Sequence, residues 1–267
     1  MTVFRHVLWG YELTYPDDWV HQTLEEVEGF AALVEALQPG YDGEKNGHLL
    51  VRAEWNGLMQ ELEPLWSRHM GLTAGMLGAK KVGAAPWKMG GAAGLEAEVV
   101  LPKNSKQRLW AGILGRGPLV LHFMVSHSLE ERAWFEPVVT RLISSLRFPT
   151  SWEGLEHDAT GLPLPPGYTP AAPEEIIQGI ADPTLWRAYR GRSSVGALQA
   201  FYVREAQKHG WQIESFEPFP GLTDLGFARF QVRKEATALT IGLMPYGGER
   251  VYSISPANLV IKIKSSE

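Results

Sequence analysis

The chain has no cysteine among its 267 residues. That absence excludes disulfides, thiolate metal sites and cysteine nucleophiles together. Charge is also sparse, at 21% of residues with a net of −5. An acid-leaning surface has no general attraction for phosphate backbones, and no basic stripe interleaved with aromatics occurs. Nucleic acid is therefore not an expected partner. Nothing approaches the roughly 18 consecutive apolar residues of a spanning helix, so no membrane span is expected. The opening Met1-Thr-Val-Phe-Arg-His-Val-Leu-Trp-Gly10 lacks the basic start, apolar stretch and small-residue cleavage site of an export signal. The cytoplasm is the expected location.

Catalytic signatures are missing as well. There is no Gly-x-Ser-x-Gly elbow. Gly90-Gly91-Ala-Ala-Gly94 precedes a strand, whereas a phosphate loop must open a helix and carry Lys-Ser/Thr. Asp42-Gly-Glu44-Lys-Asn46-Gly47 has the spacing of half a calcium loop, but Ala53 stands where the bidentate glutamate is needed. It reads as a polar turn. His122 and His127 are spaced to point to opposite faces of one strand, so they do not share a metal, and no further ligand completes a zinc set. With His69 they read as hydrogen-bonded structural histidines. Ser126, His127 and Ser128 are neighbours in sequence, which does not supply the convergence of a triad. Glu130-Glu131 precedes a helix and suits the positive end of its dipole. No enzyme, cofactor or metal is expected.

What the chain does hold is apolar residues, at 45%, and ten Trp. The length suits two domains, each able to bury a core of ordinary size. Trp is large and rarely fully buried, so this number points to indoles at domain or partner contacts.

Pro149, Pro163, Pro165, Pro166 and Pro170 cluster with Gly154, Gly161 and Gly167. Such a stretch continues neither a central strand nor a helix. It predicts a domain at 1–150, a stiff Pro-rich linker at 151–170 and a smaller α+β domain at 171–267.

In the first domain, Tyr11–Tyr15 predicts a strand running into a Pro-Asp turn. Val27, Phe30, Val34 and Leu37 recur at helical spacing and predict a helix over 24–38, stopped by Pro39-Gly40. Alternation predicts a strand over 49–55, and a second helix is expected from Pro64 to Gly78. Strands at 95–101, 108–114 and 119–126 predict an antiparallel meander. The last is apolar on both faces and should be central. A helix carrying Phe135, Val139, Leu142 and Leu146 follows.

In the second domain, Trp186–Arg190 predicts a strand. Ser193 or Ser194 can cap a helix bearing Val195, Leu198, Tyr202 and Ala206, which Gly210 ends. Strands are expected near 211–217, 225–233, 238–245, 250–255 and 259–264, with Lys262 and Lys264 guarding an edge. The fold class is thus α+β in two domains, the first an antiparallel sheet with helices packed on it.

The first half resembles the PsbP-like α/β/α sandwich group. That group includes the photosystem-associated PsbP proteins, the Mog-type Ran-binding protein, the DcrB proteins and the Eag-type chaperones. The resemblance rests on Gly10-Tyr-Glu-Leu-Thr-Tyr-Pro-Asp-Asp-Trp19, on the strands around Gly115-Arg-Gly-Pro118, and on the helix ending Leu146-Arg147-Phe148. It covers residues 1 to about 148 and implies a protein-binding role with no shared active site. The second half resembles no family.

The expected function is a non-catalytic binding or scaffolding protein whose partner is another protein. Trp152 at the boundary and Trp186 opening the second domain are the candidate contact residues. Two alternatives stand beside it. One is a chaperone for apolar helical segments, which needs an exposed apolar groove on the sheet. The other is a small-molecule enzyme with an interdomain site.

Overall fold

The computed structural model describes residues 1–77, 83–99, 101, 106–150, 152–221, 226–246 and 255–263. The chain divides into two compact units, Met1–His6 with Tyr11–Phe148, and Val7–Gly10 with Pro149–Glu267.

The first unit contains β1 (Thr2–His6), β2 (Tyr11–Tyr15), β3 (Val20–Leu24), β4 (Val27–Ala31), β5 (His48–Trp55), α1 (Leu62–Leu77), β6 (Ala85–Met89), β7 (Ala92–Val99), β8 (Gln107–Arg116), β9 (Leu119–Ser128) and α2 (Arg132–Ser144). Strands β3 to β9 form a seven-stranded sheet in the order β3-β4-β5-β9-β8-β7-β6, and β1 pairs with β2 as a separate hairpin. Every pairing is antiparallel. This is the antiparallel sheet with helices packed on it, as expected for the first domain.

Strand β9 lies between β5 and β8, as its double-sided apolar pattern requires. Leu121 and Phe123 on one face and Val120 on the other are all 0% exposed. One face carries α1, whose Leu65, Trp66 and Met70 pack on Leu109, Ala111 and Ile113. A 3-10 turn, Val34–Leu37, continues this cover against Leu50. The opposite face receives the buried Phe135, Val139 and Leu142 of α2 and, further along, the β1–β2 hairpin, where Phe4 meets Phe30 edge-on at 5.4 Å.

Beneath α1 lies a polar cluster. Glu54 accepts from His122 Nε2 at 3.0 Å and pairs with Arg68. Burial alone would raise the Glu54 carboxyl, but the His122 hydrogen bond and the charges around it hold it down at about 2. Burial pushes both His122 and the adjacent His69 ring below the usual histidine value.

One expectation is corrected here. Residues 24–38 form no α-helix; they hold the β3–β4 turn, strand β4 and the 3-10 turn Val34–Leu37. Glu25, in the left-handed region at φ 57°, turns β3 into β4, with Gln22 opposite Gly29. The helical spacing misled because its residues do not share an environment: Phe30 and Leu37 are buried while Val34 is 44% exposed.

The second unit contains β10 (Thr169–Ala171), β11 (Trp186–Arg190), α3 (Val195–Lys208), β12 (Gln212–Glu217), β13 (Ala228–Lys234), β14 (Thr237–Pro245) and β15 (Ala257–Ile263). They form a six-stranded antiparallel sheet in the order β10-β11-β15-β14-β13-β12. Helix α3 is capped by Ser194, whose side chain accepts from Ala197 N at 3.3 Å. Gly210, at φ 81°, releases the chain after the helix. Leu198, Phe201 and Tyr202 bury against Phe230, Ile241 and Leu259.

Lys262 does not guard an edge, because β15 pairs with β11 on one side and β14 on the other. Its ammonium instead lies 5.3 Å from the Trp186 ring centroid. Lys264 and residues 250–254 of the expected 250–255 strand fall outside the described residues. The stretch expected as a linker, 151–170, puts Leu162, Leu164 and Tyr168 into the second unit's core. Asp158 Oδ1 folds it back on itself by accepting from Thr160 N at 2.8 Å and Leu162 N at 3.0 Å. The prolines prevent regular structure there; they do not prevent burial of the leucines between them.

Candidate functional site

The most functionally suggestive ground lies at the N-terminal end of α2. Strand β9 ends at Ser128, and the chain turns through Leu129, Glu130 and Glu131 before α2 begins. The loop that leads into β5 comes alongside. Asn46 Oδ1 accepts from Ser128 N at 3.2 Å, and Leu129 N donates to Lys106 O at 2.8 Å. Gly47 makes this approach possible, since a Cβ there would lie 2.5 Å from the Phe135 ring. The result is a cleft of about 750 Å³ whose walls include Asp42, Glu44, Glu130, Glu131, Leu129 and Trp134.

Its chemistry is mixed. Leu129 and Trp134 are large apolar side chains left 39% and 37% exposed. Trp134 also lines a second cleft, together with Trp19 and Val138. The carboxylates outnumber the positive charges, which are Lys45 and Lys106. Glu131 is 7% exposed, yet its Oε1 has no hydrogen-bond partner. Its Oε2 accepts only a long bond from Ser128 N at 3.4 Å. Although Glu131 stands at the N-cap position of α2, its side chain caps no amide of that helix. Burial lowers the His48 ring, while its bond to Asn46 O and the Glu131 charge act in the opposite direction.

Further along α2, a cavity of about 270 Å³ opens between the helix and the outer strands. Trp87 and Trp110 meet there edge-on at 5.2 Å, and Trp110 Nε1 donates to Glu96 at 3.0 Å.

The residues singled out in the sequence fall elsewhere. Trp152 and Trp186 both belong to the second unit and are half-buried. They make no ring contact with each other among the described residues. The Trp152 indole nitrogen is buried without a partner. His122 and His127 do face apart: His122 joins Glu54 beneath α1, while His127 packs on Phe135 at 5.3 Å and bonds Ser128 O at 2.8 Å. The half calcium loop and Glu130-Glu131 were each visible in sequence as a polar turn and a helix start. Nothing in either signals that they share a cleft, because 83 residues of chain lie between Asn46 and Glu130. No group of three metal-ligating side chains is placed to hold an ion among the described residues, and none of the described helices is long and apolar enough to cross a membrane.

No protein-family model matches this sequence, and no curated protein matches it. Solved structures do. A cyanobacterial PsbP (CyanoP) from Synechocystis sp. PCC 6803 is 15% identical and covers 55% of this chain and 92% of its own, with a TM-score of 0.43. The Saccharomyces cerevisiae Ran-binding protein Mog1p is 9% identical over 52% of this chain and 90% of its own, with a TM-score of 0.37. LpqN of Mycobacterium tuberculosis, involved in cell envelope biogenesis, is 15% identical over 52% of this chain and 83% of its own, at 0.34. PsbP and Mog proteins, the kinds that the first half resembles in sequence, are both among these neighbours.

Proposed function

We propose that this chain is a non-catalytic protein-binding protein that receives its partner at the N-terminal end of α2. The observation that carries this reading is Leu129 and Trp134, two large apolar side chains left more than a third exposed on one cleft. Exposed apolar surface rimmed by charge marks an interaction site more often than chance, and Trp is favoured as an anchor in such places. The net charge of −5 supports a protein partner over nucleic acid. Among the described residues no open apolar sheet face, which the chaperone reading needs, supports that alternative. Helix α1 with the 3-10 turn covers one face of the first sheet, and α2 with the β1–β2 hairpin covers the other.

Affinity capture with the full chain from cells that express it, followed by mass spectrometry, tests the reading. A specific protein should be retained by the wild type and by Trp186→Ala, and lost by Trp134→Glu. Retention by Trp134→Glu at the wild-type level, or the absence of any specific partner, overturns it.

A further inference from the structure

We infer that the cleft at the start of α2 is a receptor for an arginine side chain, presented by a basic segment of the partner protein. This inference rests on the proposed protein-binding reading and narrows the partner's chemistry.

The argument begins with Glu131. A carboxylate taken out of water must be paired or well hydrogen-bonded, or the burial is costly. Glu131 is 7% exposed, has one oxygen without a partner and holds the other by a single long bond. It makes no ion pair among the described residues. Among the described residues no positively charged donor meets Glu131, and one that entered the cleft would.

The rest of the cleft says which kind. Asp42, Glu44 and Glu130 add negative charge to the same cleft and outnumber its Lys45 and Lys106, so a cation entering it meets a net complementary potential. Trp134 and Leu129 line the same cleft and add aromatic and apolar surface to it. A bare metal ion makes no use of such surfaces, and among the described residues no three ligating side chains gather to surround one. A guanidinium uses both. It forks two donors onto a carboxylate while its plane stacks on an aromatic ring, and its weak hydration lowers the cost of entry. An ammonium has the charge without the plane.

The probe is a capped tetra-arginine peptide, titrated into the full chain near physiological ionic strength and followed by calorimetry and by backbone amide shifts. Saturable binding is expected, with shifts centred on Ser128–Trp134. Glu131→Gln should weaken it by about tenfold or more, since an ion pair is replaced by a single charge on a neutral amide. Trp134→Ala should weaken it several-fold. Glu63→Gln, an exposed change on α1, should leave it unaltered. A tetra-lysine peptide should bind more weakly, and tetra-citrulline not at all.

The inference falls if Glu131→Gln binds as the wild type does, if the shifts centre elsewhere, or if citrulline binds as well as arginine. It falls too if calcium chloride alone moves these amides while the arginine peptide does not. Should Glu131→Gln alter the amide spectrum globally, Trp134→Ala and the citrulline peptide decide the matter. A partner lost by Trp134→Glu but kept by Glu131→Gln would leave the protein-binding reading standing and remove the arginine.

Discussion

Gly94 shows how tightly single positions are specified. A Cβ there would lie 1.8 Å from the Ile113 carbonyl oxygen, an atom of the neighbouring strand's backbone that has no rotamer to escape into. Gly94→Ala is expected to destabilise by about 3 kcal/mol, the upper part of the range for overpacking; a denaturant midpoint at the wild-type value would show that the two strands part easily. His69 makes a different case. Burial first, then the neighbouring His122 and Arg52, lower its ring to about 4 from the ordinary 6.5. A histidine lowered in the fold is favoured neutral. Its contribution is whole above 6.5 and is lost as pH falls toward 4. Urea stability should therefore decline between about pH 7 and about pH 5, and His69→Phe should make that decline shallower. An unchanged slope in the variant would take His69 out of the account.

At the scale of elements, β9 and α3 carry the two cores. Phe123 is 0% exposed at the middle of β9 and meets Trp87 edge-on at 5.3 Å. Phe123→Ala is expected to cost about 3 to 5 kcal/mol, through lost burial and the cavity left behind. A loss under about 1 kcal/mol, outside that range, would contradict the central placement of the strand. Ser194 stops the unwinding of α3 by accepting from Ala197 N. Ser194→Ala should cost about 1 kcal/mol, the usual worth of a helix cap, and thermal melting measures it. Both elements were legible in sequence. An uninterrupted apolar strand and a Ser-led amphipathic helix depend on near neighbours, and near neighbours are what periodicity records. The β3–β4 hairpin was not legible, because residues that alternate between hairpin and 3-10 turn happened to repeat at 3 and 4.

For the whole molecule, the division of the chain has a consequence at its start. Val7–Gly10 belongs to the second unit, whose Arg204 donates to Val7 O at 2.5 Å and to Leu8 O at 3.2 Å. Val7 and Leu8 also pack on that unit's apolar cluster. A fragment that begins at Pro149 removes these two acceptors and the apolar contacts of Val7 and Leu8, leaving the largely buried Arg204 guanidinium with Glu205 and a long bond to Ala200 O, and donors buried without acceptors are costly. Such a fragment is expected to melt well below the full chain or to give a poorly dispersed amide spectrum. A fragment as stable as the same unit in the full chain would show that the strap contributes nothing.

Local pattern alone determined much of this protein: the antiparallel meander of the first unit, the central place of β9, the opposed faces of His122 and His127, and the lack of cysteine chemistry. Each follows from composition or from side-chain direction along one element. Three things needed the tertiary structure. The Pro-rich stretch buries its leucines, Lys262 lies inside a sheet, and Asp42, Glu131 and Trp134 line one cleft. All three depend on which distant segments are brought side by side. Strand order and loop approach decide that, by burying apolar faces over long chain separations that no local period encodes.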